Sequence, residues 1–288
     1  MRRGWLITSF IVGLFLVYLL LQSIVYEQSD AALHAQDGDV LAHLPIISML
    51  PGTPMATPTA TATPTATPTV SPKPEVSNGS FEEGWTDVTI NVQEPNDWDL
   101  YRIPEGEPLF DSTSPEDIAD GTCECIHKLN SQLPPDEQIG GPDALILEGE
   151  TVYKFQGAFH KWGSELSQTI ENLTPNSDLR LTVPIQIHHQ DDFGEWDAES
   201  SVWVNGFGYW ANSLQMPDRD WCKHEIEFEV PEDGEIDIAI RVKVKYASPK
   251  DFFVDDIRLT SVGDDPAPYP ELPLCREDPM LIEYVPAS

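Results

Sequence analysis

"SELSQTIENLTPNSDLRLTVPIQIHH" (Ser164 to His189) decides the fold class of this chain. Its second half places apolar residues at every other position, at Leu179, Leu181, Val183, Ile185 and Ile187. Its first half alternates in the same way through Leu166 and Ile170, and a Leu-Thr-Pro-Asn-Ser turn joins the two halves. A period of two predicts β-strands that bury one face, so the stretch is interpreted as two strands around a turn.

Later segments show the same alternation. "ESSVWVNG" (Glu199 to Gly206) and "FFVDDIRLT" (Phe252 to Thr260) each predict a strand. "HEIEFEV" and "EIDIAIRVKVKY", separated by "PEDG", predict a β-hairpin over residues 224–246. With no amphipathic helix of convincing length between these strands, the sequence predicts an all-β domain, an antiparallel β-sandwich of the jelly-roll type, over residues 75–262.

The predicted hairpin carries two stripes of opposite charge. The acidic stripe consists of Glu225, Glu227 and Glu229. The basic stripe consists of Arg241, Lys243 and Lys245. Alternate spacing puts each stripe on one face of its strand, which predicts cross-strand ion pairs between them.

Two segments after residue 75 lack a strand pattern. Residues 91–142 are dense in Pro, Gly and acidic residues and are interpreted as an irregular insertion, with "DWDLYRI" (Asp97 to Ile103) as a candidate strand inside it. Residues 263–288 form a Pro-rich C-terminal tail. Loops as long as this insertion are usually functional, so the insertion is a place to look for a site.

The N-terminal part is predicted to cross or leave a membrane. Residues 1–3 contain two arginines and precede an uncharged apolar segment at 4–26, which is long enough for a transmembrane anchor. A cleaved signal peptide is the alternative, because Ser29-Asp30-Ala31 offers small residues at a suitable offset. Residues 27–74 form a linker rich in Thr and Pro. We expect a single-pass protein of the cell membrane with an extracellular domain, or a secreted protein if the segment is cleaved.

The chain is strongly acidic, with 16 Lys and Arg against 49 Asp and Glu and a formal net charge of −33. Nearly all of this charge lies after residue 74. Such a field repels phosphate backbones and anionic lipid, which argues against a nucleic-acid partner. It is compatible with neutral sugars, cations or basic surfaces, and also with a role in solubility alone.

Three motifs carry a family likeness. A domain that opens with "NGSFEEGW" (Asn78 to Trp85), continues through "LSQTIENLTPNSDLRLTVPI" and ends in "FFVDDIRL" resembles the galactose-binding-like jelly-roll domains of bacterial carbohydrate-binding modules. The motifs cover the ends and the middle of residues 75–262 but not 91–142. In that family the first motif is the first strand, so we expect the same of residues 78–85 with Phe81 buried. The resemblance implies a carbohydrate partner.

The resemblance also implies a structural calcium ion that ties the first strand to the last. Glu82 matches the glutamate after the phenylalanine of the family motif, and Asp255 matches the first aspartate of the last strand. Ser80 would contribute its backbone carbonyl. Ca²⁺ prefers carboxylate and carbonyl oxygens from distant segments, which fits these residue types. The alternative is that these residues are solvated acids at strand ends.

Sugar sites in such modules combine exposed aromatic rings with polar side chains. Trp203 faces away from Val202 and Val204, while Gln186 and His188 face away from Ile185 and Ile187. If the two strands lie in one sheet, these three side chains share its outer surface. Further candidates in or beside loops are Trp196, Tyr209, Trp210 and Trp221. The alternative is that several of these aromatic residues belong to the core.

The four cysteines of an exported chain favour disulfides. Cys123 and Cys125 are close in sequence, so we expect each of them to pair with one of Cys222 and Cys275. A metal site built from Cys123, Cys125 and His127 is the weaker alternative, since no second half-site accompanies it.

Catalytic motifs are not found in the sequence: it contains no HExxH, GxSxG or Gly-rich phosphate loop. We therefore expect a non-catalytic, extracellular carbohydrate-binding module. The alternatives are a structural or adhesion ectodomain that binds a protein, and a jelly-roll polysaccharide lyase or hydrolase. The step from fold to sugar is made by analogy.

Overall fold

A computed structural model describes residues 73–112, 114–189, 194–246, 249–263, 267–277 and 279–284. The predicted N-terminal end, anchor and most of the linker lie outside these residues. Within them, no helix has the length and apolar character needed to cross a membrane.

Fourteen β-strands make up the regular structure of the described residues. In chain order they are β1 (Trp85–Thr89), β2 (Val92–Pro95), β3 (Asp99–Arg102), β4 (Glu124–Leu129), β5 (Thr151–Gly157), β6 (Trp162–Ile170), β7 (Asp178–His189), β8 (Ala198–Val204), β9 (Phe207–Asn212), β10 (Trp221–Glu229), β11 (Ile236–Val244), β12 (Lys250–Val254), β13 (Arg258–Ser261) and β14 (Ile282–Glu283). One 3₁₀ turn, Asn130–Gln132, follows β4. The all-β prediction is confirmed.

The strands form two sheets. The eight-stranded sheet has the order β1-β2-β4-β5-β12-β7-β10, with β13 also paired to β7. The six-stranded sheet has the order β14-β9-β8-β11-β6-β3. All the pairings are antiparallel except that of β2 with β4. Residues from both sheets share one hydrophobic core, as in a β-sandwich.

Four connections at one end of the sandwich cross between the sheets. They join β5 to β6, β7 to β8, β9 to β10 and β11 to β12. The strands β5, β12, β7 and β10 are neighbours in that order in the eight-stranded sheet. The strands to which these loops connect them, β6, β11, β8 and β9, are neighbours in the same order in the six-stranded sheet. The four loops therefore follow one another across this end, which we call the crossover end.

Pro184 lies inside β7, where a missing N–H would interrupt the ladder of a central strand. The neighbouring strand is itself interrupted at this level. β12 pairs with β7 as far as Ile185, and β13 resumes the pairing at Thr182. Residues 255–257 separate β12 from β13, so the ladder has a gap where the proline lies.

The N-terminal motif forms turns, and not the first strand that we expected, because β1 begins only at Trp85. Asn78 and Phe81 have positive φ angles of 49° and 60°. The Asn78 side chain accepts the N–H of Glu83 at 2.9 Å and donates to the carbonyl of Asn96 at 2.9 Å. The prediction that Phe81 is buried is confirmed, since its exposed fraction is 0%.

The predicted hairpin between β10 and β11 is wrong. β10 pairs with β7 in the eight-stranded sheet, whereas β11 pairs with β6 and β8 in the six-stranded sheet. The turn at 231–234 therefore carries the chain from one sheet to the other. A hairpin and such a crossing share the same alternation, because in both cases each strand buries one face.

The predicted ion pairs between the two charged stripes are wrong for the same reason. Arg241 pairs with Glu165 on β6, and Lys243 pairs with Glu199 on β8 at 3.2 Å. On the other sheet, Glu227 pairs with Arg180 on β7 at 2.5 Å. The ion pairs of Glu227, Arg241 and Lys243 therefore each join neighbouring strands of one sheet.

The stretch 91–142 contributes more than an irregular insertion. It supplies β2, β3 and β4, and the candidate strand in "DWDLYRI" is confirmed as β3. Its irregular parts cover the outer faces of both sheets, through Ile103, Leu109 and Phe110 on one and Leu133 on the other.

The disulfides join Cys123 to Cys125 and Cys222 to Cys275, so the predicted pairing between the two sets is wrong. Cys123 immediately precedes β4 and Cys125 lies in it, and residues two apart in an extended chain face the same side. Their Cα atoms are 5.8 Å apart, within the usual range for a disulfide. The second bridge fastens the C-terminal tail to β10.

Candidate functional site

Trp203 and Trp210 lie on the outer face of the six-stranded sheet, where the 103–119 segment covers them. The exposed fraction of Trp203 is only 2%, and its indole donates to the Ser201 hydroxyl at 2.7 Å. The Trp210 indole donates to Asp111 at 2.8 Å. The guanidinium of Arg241 stacks on Trp203 at 5.0 Å. Both tryptophans therefore fasten a covering segment in place.

Gln186 and His188 lie on the outer face of the eight-stranded sheet. The prediction that they share a surface with Trp203 is wrong, because β7 and β8 belong to different sheets. Gln186 donates to the carbonyl of Arg219 at 2.6 Å. The His188 ring lies 4.7 Å from the Phe253 ring, and burial lowers the pKa of His188 to about 4. Residues 133–146 cover this part of the sheet.

The other loop candidates differ in exposure. Tyr209 is buried in β9, and Trp221 begins β10 and donates to the carbonyl of Ala144 at 2.9 Å. Trp196 has an exposed fraction of 55% and is the one exposed tryptophan among the residues that the structure describes. It lies in the connection between β7 and β8, at the crossover end.

A groove of about 790 Å³ opens on the outer face of the eight-stranded sheet, at the crossover end. The register of β4, β5 and β12 puts Glu124, Gln156 and Asp251 in one row across three adjacent strands. Their neighbours Cys125, Phe155 and Phe252 point into the core. The floor of the groove therefore consists of the polar half of three alternating strands.

Two apolar side chains form the rim of the groove. Phe159, in the loop after β5, has an exposed fraction of 75%, and Ile90, in the turn between β1 and β2, is also exposed. Arg102 and His160 complete the wall, and each is held by a backbone carbonyl, of Cys123 at 2.9 Å and of Thr122 at 3.1 Å. The groove thus offers an aromatic face beside hydrogen-bonding groups.

The polar groups of the floor are held in place by one another. Gln156 donates to Glu124 at 2.7 Å, and Lys154 pairs with Asp251 at 3.0 Å. Carboxylate oxygens accept hydrogen bonds from hydroxyl groups, and an amide both donates and accepts. An exposed aromatic ring covers the apolar face of a ligand, so this combination suits a polyhydroxylated molecule.

The groove was not predicted from the sequence, because no strand was expected at β4 or β5. The signal was available in "TVYKFQG" (Thr151 to Gly157), where Tyr153 and Phe155 alternate with Lys154 and Gln156. That these residues lie beside Asp251, about 100 positions later, follows only from the sheet order.

The residues expected to hold calcium meet at one loop. Asp255 accepts the N–H groups of Leu147 at 2.6 Å and of Glu148 at 3.1 Å. Glu82 accepts the N–H of Glu150 at 2.8 Å. Ser80 lines a neighbouring cavity of about 470 Å³ together with Glu148. The first and the last motif are therefore fastened to the same segment, 147–150.

The chemistry of these groups fits a hard cation in part. Asp255 is buried, and burial raises its pKa to about 8, so a cation there would offset an unfavourable charge. The described residues contain no group of three His, Cys, Asp or Glu side chains placed to hold a metal. Calcium here would need backbone carbonyls and water to complete its 6 to 8 oxygen ligands.

A serine–histidine contact exists in the core. The Ser200 hydroxyl lies 2.8 Å from Nε2 of His224, and both residues are buried between the sheets. Burial lowers the pKa of His224 to about 3. No substrate can reach this pair without opening the sandwich, so it does not form a catalytic site.

No protein-family model matches the chain, and no curated protein is similar to it. Among solved structures it is similar to the carbohydrate-binding module TmCBM61 in complex with β-1,4-galactotriose, with 19% identity and a TM-score of 0.42, over 66% of this chain and 99% of that one. The CBM22-1 xylan-binding domain from Paenibacillus barcinonensis Xyn10C has 14% identity and a TM-score of 0.34, over 65% and 94%. A cyclase from Fischerella sp. TAU has 16% identity and a TM-score of 0.39, over 68% and 98%. At such identities the function has to be argued from the groove itself.

Proposed function

We propose that the domain binds a neutral glycan in the groove formed by β4, β5 and β12. The observation that carries this proposal is the row Glu124, Gln156 and Asp251, which lines the same groove as the exposed ring of Phe159. A sugar hydroxyl can donate a hydrogen bond to either carboxylate of this row. It can also donate to or accept from the amide that lies between them. The volume of the groove lies in the range of about 300–1,000 Å³ that is common for ligand sites.

Each part of the groove has a distinct role in this proposal. Glu124 and Asp251 accept hydrogen bonds from sugar hydroxyls, while Gln156 lies between them and fixes the orientation of Glu124. Phe159 covers one face of a pyranose ring. The two carboxylates and the acidic exterior disfavour uronic acids and other anionic sugars. The role is binding without catalysis.

The domain is proposed to act outside the cell. The apolar segment 4–26 would anchor the chain in the membrane, and the linker 27–74 would hold the domain away from the surface. A chain whose anchor is cleaved would be secreted with the same groove.

A glycan array is the direct test. The full-length protein in mild detergent is applied to neutral and acidic glycans, with and without calcium. We expect binding to neutral glycans and its loss in Glu124→Gln. The matched control is Glu229→Gln, which removes the same charge at the other end of the sheet. If no glycan is bound, or if both variants bind like the wild type, the groove is not a sugar site.

Calcium is proposed to stabilise the domain by binding at Ser80, Glu82 and Asp255. The melting temperature should rise on addition of calcium and fall with a chelator, and Asp255→Ala should abolish the difference between the two conditions. Glu83→Ala, which changes an exposed neighbour of Glu82, is the control and should keep it. If calcium and the chelator leave the melting temperature of the wild type unchanged, the calcium proposal is wrong.

A further inference from the structure

Four exposed apolar side chains lie in the loops of the crossover end. The four loops that cross between the sheets there each present one: Phe159 (75% exposed), Tyr246 (59%), Trp196 (55%) and Leu214 (63%). Exposed hydrophobic residues scattered singly need no explanation, but a contiguous set marks a contact surface. Three of these four residues are aromatic.

The strand order places these side chains in a row. The loops follow the order β5-β12-β7-β10, so the residues follow the order Phe159, Tyr246, Trp196, Leu214. Register supports this order, because Gly157 pairs with Lys250, which in turn pairs with His189. At about 4.8 Å between neighbouring strands, four consecutive loops span about 14 Å.

Polar groups lie close to the centre of the row. The Lys245 ammonium is 5.9 Å from the Trp196 ring, and Glu195 accepts a hydrogen bond from Asn212 at 3.4 Å. Aromatic rings flanked by hydrogen-bonding side chains are suited to sugars, whereas a site for a lipid surface would bring basic residues without acidic partners. Lys245 is paired with Glu199 at 2.7 Å. The net charge of −33 opposes an anionic membrane.

The row is continuous with the groove, because Phe159 belongs to both. We infer that the ligand is a linear polysaccharide that runs from the groove over Phe159 and continues across Tyr246 and Trp196. The inference rests on the proposed function and narrows it to internal stretches of a long neutral chain, as opposed to a monosaccharide or a chain end. Phe159 then marks the point where the chain passes from the floor of the sheet to the crossover end.

The test measures affinity against ligand length. The probes are oligosaccharides of two to six sugars prepared from β-1,4-galactan and β-1,4-xylan, titrated into the full-length protein by calorimetry. Affinity should rise with length, and Trp196→Ala should weaken the hexasaccharide about tenfold while changing the disaccharide less than about twofold. Trp196→Phe, which keeps a ring, should restore most of the loss.

Phe207 provides a matched control. It is an exposed aromatic residue at the start of β9, at the other end of the sandwich. Phe207→Ala should leave the affinity for every length unchanged. Phosphatidylcholine vesicles serve as a second probe and should bind neither the wild type nor the variants.

Each outcome supports or overturns the inference. Equal affinity for two and six sugars, no binding to either series, or an equal loss for Trp196→Ala and Phe207→Ala would overturn it. Vesicle binding that Trp196→Ala abolishes would assign the row to a lipid surface. If Trp196→Ala weakens binding but Glu124→Gln does not, the proposed groove fails and the row alone is the site. If Glu124→Gln weakens the disaccharide and Trp196→Ala changes nothing, the groove stands and the inference fails.

Discussion

The backbone N–H of Ile257 donates a hydrogen bond of 2.9 Å to the carbonyl of Gly79, joining the first motif of the domain to the last. A Cβ atom at residue 79 would overlap the carbonyl oxygen of Ile257, so only glycine allows this approach. The indole of Trp98 donates to the carbonyl of Asn78 at 3.2 Å and supports the same turn. The domain is therefore closed by backbone contact between its two ends.

Gly79→Ala should destabilise the domain by about 2–4 kcal/mol, because the methyl group has to displace rigid backbone. The measurement is the free energy of unfolding in urea. Gly194→Ala is the control, since its Cβ would meet only the rotatable carboxylate of Asp197 at 3.2 Å. Equal losses in the two variants would contradict this account of the closure.

Removal of the Cys222–Cys275 disulfide should cost about 4 kcal/mol, because it closes a loop of 53 residues and its loss frees the unfolded chain. The double variant Cys222→Ser/Cys275→Ser is compared with the wild type by chemical denaturation. Cys123→Ser/Cys125→Ser, which opens a bridge between residues two apart, should cost less than half as much. Equal costs for the two double variants would indicate that the bridges connect the two sets, as first expected, because each double variant would then open both bridges.

Acid should destabilise the domain through its buried histidines. Burial lowers the pKa of His127 and His224 to about 3, from about 6.5 in the unfolded chain. The unfolded state therefore binds more protons below pH 6.5, and this contribution to stability, present above pH 6.5, is lost as the pH falls toward 3. In His224→Gln, the slope of the free energy of unfolding between pH 6.5 and 5 should decrease by about one proton. Above pH 7.5 the difference between variant and wild type should be constant, and an unchanged slope at lower pH would be inconsistent with a buried neutral imidazole.

Trp203→Ala should destabilise the domain by about 3–5 kcal/mol, because it leaves a cavity between the sheet and the 103–119 segment. It also removes one of the rings that surround Arg241. Phe207→Ala, at the exposed start of β9 in the same sheet, should change stability by less than about 0.5 kcal/mol. Glycan affinity at a temperature where the variant is folded should be unaffected by Trp203→Ala. If Trp203→Ala lowered the glycan affinity without lowering the stability, Trp203 would be a ligand-binding residue after all.

The alternation in the sequence predicted β6, β7, β8, β10 and β11 close to their observed bounds, because burial of one face imposes a period of two whatever the partner strand is. The same pattern left open which sheet each strand joins. β10 and β11 were paired wrongly for that reason, and the stripe at Glu225 was matched with the wrong cations. Neither hydrophobic period nor charge spacing distinguishes a hairpin from a crossing between sheets.

The predictions of exposure for the candidate site were likewise correct for one tryptophan and wrong for another. Trp196 was identified as a sugar-facing residue from its place in a loop, and its ring is exposed. Trp203 was identified from its outward position on a strand, but the 103–119 segment covers that outer face. The local sequence predicts the face of the strand on which a side chain lies. It does not predict whether a distant segment covers that face.

The sequence by itself determined the strand-forming segments and the turns between many of them, because these depend on backbone geometry and local alternation. The tertiary structure alone decided the sheet order, the disulfide pairs, the groove at Glu124, Gln156 and Asp251, and the aromatic row from Phe159 to Trp196. Apart from the Cys123–Cys125 bridge, each of these joins residues tens to more than a hundred positions apart. Such contacts form only when two sheets close over a shared core, and that is a property of the whole chain.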